Sequence, residues 1–337
     1  MRADKKIIEY ISEQKSISVE DAMALAVERY YAKGDVFGRA GDFTTAPEIS
    51  QLFGEMLGAW IVDAWTKIGT PQAFVLVEFG PGRGTLMADM LRVIEKVLPC
   101  FNALSIHLVE QSGALKQKQQ EVLSRYNIKW HDTVETLPTD KPLIVIGNEF
   151  LDALPIRQYE RVKDVWCERY ISYGVDGQLS FQHKEVADEV NASLPKKGEG
   201  IYEHAPAREK FVRDLAIRLK AQTGCALFID YGHEISAYGD TLQAVQSHQS
   251  VNVLETLGAA DVTSHVDFDA LSRSIEGCAH IYALRQQGFF LRHLGIEYRA
   301  QKLSLEKECE RLVAQDQMGK LFKVFAFSDK PYALEGF

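Results

Sequence analysis

The spacing of apolar residues along the chain changes at the glycines near position 80. Residues 74–77 form a short apolar run between Pro71 and Gly80, which predicts a strand buried on both faces of a parallel sheet. From Thr85 onwards the apolar residues recur at helical spacing, at Leu86, Met90, Leu91, Ile94, Val97 and Leu98. The pattern therefore predicts a strand, a glycine turn and a helix in direct succession.

The same criteria predict further helices and strands on both sides of this unit. The predicted helices span residues 4–31 (two helices, the second capped by Ser18), 47–67 (beginning with Pro47 after a Thr45 cap), 113–125, 206–220 and 286–294. The predicted strands span residues 104–109, 128–131, 143–146, 225–230 and 321–327. Strands that alternate with helices are typical of an open, mostly parallel α/β sheet.

Two segments interrupt this alternation. Residues 156–199 alternate polar and aromatic or apolar positions and contain an Asp-Gly turn within 174–177, which predicts inserted antiparallel hairpins. A second, polar insertion spans about 234–280. We interpret the chain as an N-terminal helical extension and loop (1–70), a core sheet (71–155 and 201–337, including that second insertion) and an inserted β-hairpin subdomain (156–200).

Three glycines follow the first strand of the core in alternation, Gly80, Gly82 and Gly84, and Glu78 stands just before them. In a strand–turn–helix unit, backbone N–H groups and the helix N-terminus face a ligand, and missing Cβ atoms let it approach closely. The dinucleotide pattern would place the third glycine at Thr85. Glu-x-Gly-x-Gly-x-Gly is instead the first motif of class I S-adenosylmethionine (SAM) methyltransferases, where the acid can hold the α-ammonium of SAM.

Two alternatives to a SAM loop are a turn made only for chain reversal and a nicotinamide or flavin site. The agreement of strand, acid, glycine spacing and helix favours SAM. The predicted fold is α/β, with a class I methyltransferase Rossmann-like sheet, an N-terminal helical extension, and inserted antiparallel hairpins and helical segments. The predicted cofactor-binding residues of this loop are Glu78, Gly80, Pro81, Gly82, Gly84 and Thr85.

Acidic and amide side chains also follow the next strands of the predicted sheet. Glu110, after the second strand, can accept hydrogen bonds from both ribose hydroxyls of SAM. Asp132, after the third, has two interpretations: a carboxylate that accepts the adenine amino group, or an acid of a simple turn. Asn148, Glu149 and Asp152 follow the fourth strand, where groups beyond the carboxyl end face the ligand crevice. They are therefore placed for the reacting end of SAM.

Composition narrows the class of protein. The net charge of −9 and the pI of about 5.6 argue against a nucleic-acid partner. No apolar run approaches ~20 residues, so we expect no membrane insertion. The N-terminus lacks the apolar core of a signal peptide and carries early acids, unlike an Arg-rich transit peptide. Five scattered cysteines without a C-x-x-C pair predict reduced thiols in a cytosol-like compartment.

Seven segments, in order along nearly the whole chain, resemble the MidA family of methyltransferases. They are residues 41–51 (GDFTTAPEISQ), 78–87 (EFGPGRGTLM), 148–155 (NEFLDALP), 229–233 (IDYGH), 240–244 (DTLQA), 265–268 (HVDF) and 317–324 (QMGKLFKV). Two positions depart from the family pattern. Gly147 stands where the family more often has Ala, and residues 251–258 lack the proline that usually precedes their last glycine.

The resemblance implies SAM-dependent methylation of a protein arginine. The mitochondrial member of the family is an assembly factor for respiratory complex I and methylates an arginine symmetrically on a core subunit. The implied partner is therefore a protein substrate, with a core NADH dehydrogenase subunit as the candidate and a homodimer as one alternative for the assembly. Since no transit peptide is evident, we expect a bacterial-type cytoplasmic member, or a mitochondrial matrix protein if the chain is a processed eukaryotic one.

Methyl transfer to arginine requires groups that orient a guanidinium. Arginine stays protonated at physiological pH, so carboxylates can bind it by paired hydrogen bonds and leave the near nitrogen free to attack. Arginine methyltransferases generally place a Glu just after the fourth strand, so the resemblance makes Glu149 the first candidate and Asp152 the second, with Asp42, Glu48 and His233 completing the site. Each acid alone also fits a helix cap or a salt bridge. The histidines lack zinc-ligand spacing, so we expect no metal.

Two further functions stay open. A methyltransferase of small molecules would have a closed apolar pocket under the 156–199 insertion, whereas an arginine methyltransferase would have an open acidic groove. A SAM-binding assembly chaperone without catalysis would use SAM only for structure.

Overall fold

The computed structural model describes residues 3–32, 45–163, 165–195 and 198–337. The helices of these residues, in chain order, are α1 (Lys5–Gln14), α2 (Val19–Tyr31), α3 (Ala46–Ile49), α4 (Gln51–Lys67), α5 (Thr85–Ile94), α6 (Leu98–Ala103), α7 (Gly113–Val122), α8 (Asp188–Ser193), α9 (Pro206–Gln222), α10 (Val253–Thr256), α11 (Phe268–Ser274), α12 (Gln287–His293), α13 (Ile296–Leu303), α14 (Glu306–Val313) and α15 (Met318–Leu321). The strands are β1 (Ser16–Ser18), β2 (Phe74–Phe79), β3 (Leu104–Val109), β4 (Ile128–His131), β5 (Leu143–Asn148), β6 (Arg157–Val162), β7 (Val165–Tyr173), β8 (Leu179–Glu185), β9 (Ile201–His204), β10 (Gly224–His233), β11 (Gln243–Gln246), β12 (Gln249–Val251), β13 (Asp261–Thr263), β14 (Val266–Asp267), β15 (His280–Ile281), β16 (Arg285–Gln286) and β17 (Phe322–Ser328).

A mostly parallel sheet forms the centre of the protein, in the order β15-β17-β10-β5-β2-β3-β4. The strands from β10 to β4 are parallel to their neighbours, and β17 is antiparallel to β10. Along β2, Phe74 and Leu76 pack with α4 and α5, whereas Val75 and Val77 pack with α9 and α11. The predicted Rossmann-like α/β fold is thus confirmed, as is the prediction of a first core strand buried on both faces.

Two predicted helices have wrong boundaries. The helix expected over 47–67 is broken at Ser50, whose backbone is extended (φ −161°, ψ 142°) and whose side chain caps α4 by accepting from Leu52 N–H. Thr45 precedes α3, but its side chain makes no capping hydrogen bond. The helix expected to reach residue 98 ends at Ile94, because Pro99 lies in the first turn of the separate helix α6 and fits a helix start.

The inserted segment forms its own antiparallel sheet, in the order β1-β7-β6-β9 with β8 beside β7. The predicted Asp-Gly turn joins β7 to β8, and Gly177 takes a positive φ of 76° there. Strand β1, which sequence reasoning missed, adds to this sheet from the N-terminal extension, with Ile17 opposite Ile171. Helices α1 and α2 therefore pack on the inserted sheet and on β13. The proposed division into domains stays an interpretation.

The 234–280 segment is also partly folded as a sheet. Its strands β12-β11-β13 form a three-stranded antiparallel sheet, and β14 pairs in parallel with the end of β10. The departure from the family pattern in residues 251–258 lies here. Asn252 caps α10, and Gly258 takes a positive φ of 74° without a preceding proline.

All five cysteines are free thiols, and four of them are buried. No helix in the described part of the chain is long and apolar enough to cross a membrane.

Candidate active site

A cavity of about 1210 Å³ lies at the carboxyl ends of the parallel strands. It adjoins β2, where the strand order changes direction, and this is the place where open α/β sheets bind ligands. Residues that end or follow four neighbouring strands line it: Glu78, Glu110, Asp132, Asn148 and Glu149. The parallel sheet thus brings together side chains that are far apart in the sequence.

The glycine loop forms one wall of this cavity. Gly80, Gly82 and Gly84 have positive φ values of 61°, 51° and 85°, a region that costs residues with a Cβ about 1–2 kcal/mol. A Cβ on Gly80 would also lie 3.1 Å from the Phe150 ring. Gly84 is the N-cap residue of α5, so the helix N-terminus begins at the loop. Backbone without side chains therefore faces the cavity at Gly80 and Gly82, as the prediction of a cofactor loop requires.

Glu78 is 2% exposed, and its Oε2 has no hydrogen-bonding partner among the described residues. Burial raises the pKa of its carboxyl to about 8, because desolvation disfavours the charged form. A buried acceptor without a donor is costly unless a ligand supplies one. The α-ammonium of SAM would supply this carboxyl with hydrogen-bond donors and with a positive charge.

We expect Glu78→Gln to stabilise the ligand-free protein increasingly as pH rises from about 5 to about 8. The folded state raises the pKa of Glu78, so its contribution to stability is full below the unfolded pKa and is lost as pH rises towards about 8. The difference in free energy of unfolding between variant and wild type should grow by on the order of 1 kcal/mol or more, measured by denaturant titration. If the difference in free energy of unfolding is constant over this pH range, the pKa of Glu78 is not raised in the folded protein.

Glu110 follows β3 beside the glycine loop, where Gly80 N–H donates to Val109 O at 3.2 Å, and neighbouring groups donate hydrogen bonds to its carboxyl. Its Oε1 accepts from Ser112 N–H (2.7 Å), and its Oε2 accepts from Gln119 Nε2 (3.3 Å). Gln119 is fully buried, donates also to Gly82 O (2.8 Å) and accepts from Trp130 Nε1 (2.9 Å). This glutamine, which sequence reasoning missed, joins the glycine loop to the acid. Its only signal in the sequence is a polar side chain four residues after buried Leu115 on α7.

Asp132 lies at the mouth of the cavity, with its side chain 73% exposed. Its Oδ1 pairs with Lys116 Nζ at 2.5 Å, and this contact lowers the pKa of Asp132. Contact with adenine stays a prediction, and it would require the carboxylate to share or leave this lysine.

Asn148 and Glu149 form the end of the cavity beyond β5. Glu149 Oε1 accepts from Asn148 Nδ2 (3.1 Å) and from Ala46 N–H (3.4 Å). Asn148 Oδ1 is buried without a partner among the described residues. The backbone of Glu149 has a positive φ of 51°, a strain that is common at functional sites. Burial, and then the charge of Asp152, raises the pKa of Glu149 to about 8.

Asp152 is 4% exposed and lines the same end, and its Oδ1 has no hydrogen-bonding partner in the described part of the chain. Burial raises its pKa, while Tyr231 and Arg208 act in the opposite direction. Hydrogen bonds from the buried side of the loop hold the backbone around Asp152. Fully buried Asp230 accepts from Leu151 N–H (2.9 Å) and Asp152 N–H (3.1 Å) through Oδ2.

Arg208 holds this loop from α9, although sequence reasoning gave it no role. It is 1% exposed and donates to the carbonyl oxygens of Asp152 (2.8 Å), Leu154 (2.9 Å) and His265 (2.7 Å). A buried arginine that is satisfied by carbonyl oxygens fixes backbone rather than substrate. The Asp230 and Arg208 contacts together explain how the end of the cavity keeps its shape.

The other predicted catalytic residues are distributed differently. Glu48 lines the cavity beside the glycine loop, where its Oε1 accepts from Thr85 Oγ1 (2.9 Å). His233 is not among the described residues that line the cavity. The centroid of its ring lies 5.1 Å from that of His265, and His265 does line the cavity. Asp42 lies outside the described residues. The structure therefore brings Glu149 and Asp152 together, with Glu48 at the adjoining loop.

Acidic side chains strongly outnumber basic ones in the lining of the cavity. Among the described residues that line it, the arginines are Arg83 and Arg311, and the acids are Glu28, Glu48, Glu78, Glu110, Asp132, Glu135, Glu149, Asp152 and Asp261. A cationic ligand would favour the ionised forms of these acids, so such a lining suits ligands with a positive charge. Across the described residues, no group of three or more His, Cys, Asp or Glu side chains could hold a metal ion.

Comparisons with known proteins agree with this geometry. Residues 56–285 match the family described as "Putative S-adenosyl-L-methionine-dependent methyltransferase". The Caenorhabditis elegans protein named protein arginine methyltransferase NDUFAF7 homolog, mitochondrial, is 34% identical and aligns over 88% of this chain and 77% of its own. The Homo sapiens protein arginine methyltransferase NDUFAF7, mitochondrial, is 30% identical and aligns over 91% of this chain and 78% of its own.

A solved structure extends the comparison to three dimensions. A Burkholderia thailandensis protein, crystallised with S-adenosyl-homocysteine, superposes with a TM-score of 0.86 at 28% identity, over 99% of this chain and 94% of its own. The family match includes both insertions, and the relatives align over most of the chain. The chain belongs to the MidA family of SAM-dependent methyltransferases.

Proposed function

We propose that this enzyme transfers a methyl group from SAM to the guanidinium of an arginine in a protein substrate. The observation that carries the proposal is the pair of carboxyls at the end of an acidic cavity, where Glu149 is half-buried and Asp152 is buried. The names of the relatives, protein arginine methyltransferases, support the same substrate class. The acidic lining also favours this function over a small-molecule methyltransferase with a closed apolar pocket.

The residues of this chain would contribute orientation and charge. SAM supplies a methyl group on a sulfonium, which a nitrogen lone pair must approach in line. Glu149 and Asp152 can pair with the guanidinium of arginine and hold its charge on the far nitrogens. The incoming cation would favour their ionised forms against the burial that raises their pKa values.

At the cofactor end we assign the binding of SAM to the glycine loop and to the strand ends. Glu78 would take the ammonium, and Glu110 the ribose hydroxyls. Asn148 would supply its free Oδ1, and Asp132 is assigned to the adenine. The remaining residues of the proposed cofactor site are Gly80, Pro81, Gly82, Gly84 and Thr85, with Glu48 fixing Thr85.

We expect Glu110→Ala to weaken SAM binding by about 1.5–3 kcal/mol, the scale of hydrogen bonds to a charged group. Isothermal titration calorimetry measures the loss. Glu121→Ala, which removes an exposed acid from the adjacent helix α7, is the matched control and should bind like wild type. A loss below about a few tenths of a kcal/mol would move the ribose elsewhere.

The partner and the location of the protein belong to the same proposal. A core NADH dehydrogenase subunit is the candidate substrate, and a role in complex I assembly follows from the family resemblance. The relatives carry mitochondrial names, which supports the matrix alternative, whereas the cytoplasmic location stays a prediction. A homodimer and an assembly chaperone without catalysis also stay predictions.

Labelling with a methyl-tagged SAM tests the proposed function. The purified protein is incubated with labelled SAM and an extract of cells that lack it, and the labelled proteins are digested and sequenced by mass spectrometry. We expect the label on an arginine side chain. Label on a small molecule or on another residue type would contradict the proposal.

A further inference from the structure

The family-like segment 240–244 has no role in the site as described so far, yet its exposed first residue, Asp240, is bound by two buried polar side chains of the inserted sheet. Arg169 of β7 is 7% exposed and donates from Nη1 to Asp240 Oδ2 (2.8 Å) and to Gln158 Oε1 (2.9 Å). Gln158 of β6 is fully buried and donates to Asp240 Oδ1 (2.9 Å) and to Glu203 Oε1 (2.7 Å). Three strands of the inserted sheet thus hold the start of this segment.

Thr241 extends the network towards the cavity. Glu203 of β9 accepts from Thr241 N–H (2.9 Å) and from the Thr241 hydroxyl (2.5 Å). The same hydroxyl oxygen accepts from His265 N–H at 2.9 Å. One side-chain oxygen therefore joins the inserted sheet to the backbone of a residue that lines the cavity.

The path continues from His265 to the candidate catalytic acid. Arg208 donates from Nη1 to His265 O (2.7 Å) and from Nη2 to Asp152 O (2.8 Å). Ser264 N–H donates to Asp152 O at 3.2 Å. A continuous series of hydrogen bonds thus runs from Arg169 in the inserted sheet to the residue that carries one carboxyl of the proposed arginine clamp.

We propose that Thr241 is a positioning residue for the substrate end of the active site. Its hydroxyl sets the place of the His265 and Asp152 segments relative to the inserted sheet, without touching SAM or substrate. This role rests on the proposed arginine methylation and adds a function for the insertion, which then fixes the geometry of the clamp. Small displacements of groups that orient a reactant are costly, because in-line transfer depends on alignment.

The test compares Thr241→Val with Thr241→Ser. Valine keeps the volume but removes the hydroxyl, whereas serine keeps the hydroxyl. With labelled SAM, and with the extract of cells lacking the protein as the source of substrate, we expect single-turnover methyl transfer to fall by ~10- to ~100-fold in the valine variant. The serine variant should stay within about two-fold of wild type, and both variants should bind SAM like wild type, because the glycine loop and Glu78 lie outside this path.

Amide hydrogen exchange on the SAM-bound protein gives a readout that needs no substrate. We expect faster exchange over residues 150–155 and 262–267 in Thr241→Val than in Thr241→Ser, at a temperature where both are folded by circular dichroism. Equal exchange or equal transfer in the two variants would overturn the positioning role. Absence of arginine label with the wild type, together with the expected exchange difference, would overturn the proposed substrate and leave the positioning role supported.

Discussion

Replacing Gly82 by valine is expected to abolish SAM binding while the fold is largely kept. Gly82 lies in the loop that lines the cavity, with φ at 51°, and its carbonyl accepts from Gln119. A valine side chain would enter the space that the ligand needs against the backbone and would strain the loop. Calorimetric titration with SAM and with S-adenosylhomocysteine should show no measurable heat of binding, and NAD should bind to neither wild type nor variant.

Gly277→Val controls for the backbone strain. Gly277 has a similar positive φ of 75°, no atom within 4 Å of the position that a Cβ would occupy, and no place among the described residues that line the cavity. Its valine variant should carry a comparable strain and bind SAM normally. Equal SAM affinity in wild type and Gly82→Val would show that the glycine loop is not the cofactor site.

Glu149→Gln is expected to separate binding from chemistry. Glutamine keeps the shape and some hydrogen bonding of Glu149 but removes the charge that would orient the arginine. We expect SAM affinity near that of wild type and methyl transfer reduced by at least ~100-fold, the scale of losing one transition-state group. Single-turnover transfer of labelled methyl, run beside a SAM titration, measures both quantities.

Glu135→Gln is the matched control, because Glu135 also lines the cavity but follows β4, which two strands separate from β5 and Glu149. It should transfer methyl at the wild-type rate. If Glu149→Gln also transfers normally, Glu149 is structural and Asp152 becomes the first candidate for the clamp. If SAM binding collapses instead, Glu149 belongs to the cofactor site, and the clamp must be sought near Glu48.

The sequence predicted the parts of the site that depend on short-range spacing. The glycine loop follows β2 directly, and each acid or amide follows its strand within a few residues. Because parallel strands end at one edge of the sheet, linear positions alone indicated that Glu78, Glu110, Asp132 and Asn148 would meet. The structure adds which of these groups already have a hydrogen-bonding partner and which have an atom without one among the described residues.

Contacts between distant segments could not be predicted in this way. Gln119, Arg208 and Asp230 act through backbone atoms of other elements, and a single buried polar residue in a sequence does not reveal its partner. The pairing of β1 with β7 was missed because a strand of three residues has too short a pattern of apolar and polar positions to be predicted. Gly147, a departure from the family, has a local cause: a Cβ there would lie 2.5 Å from the Phe228 ring.

The claim that Glu149 and Asp152 bind the arginine of the substrate is tested most directly by a crystal structure. The protein would be crystallised with S-adenosylhomocysteine and with a peptide that contains the arginine identified in the labelling experiment. We predict the ammonium of the cofactor product at Glu78, its ribose at Glu110, and the arginine guanidinium paired with Glu149 and Asp152. A cofactor bound away from the glycine loop, or a guanidinium that contacts neither carboxylate, would contradict the account.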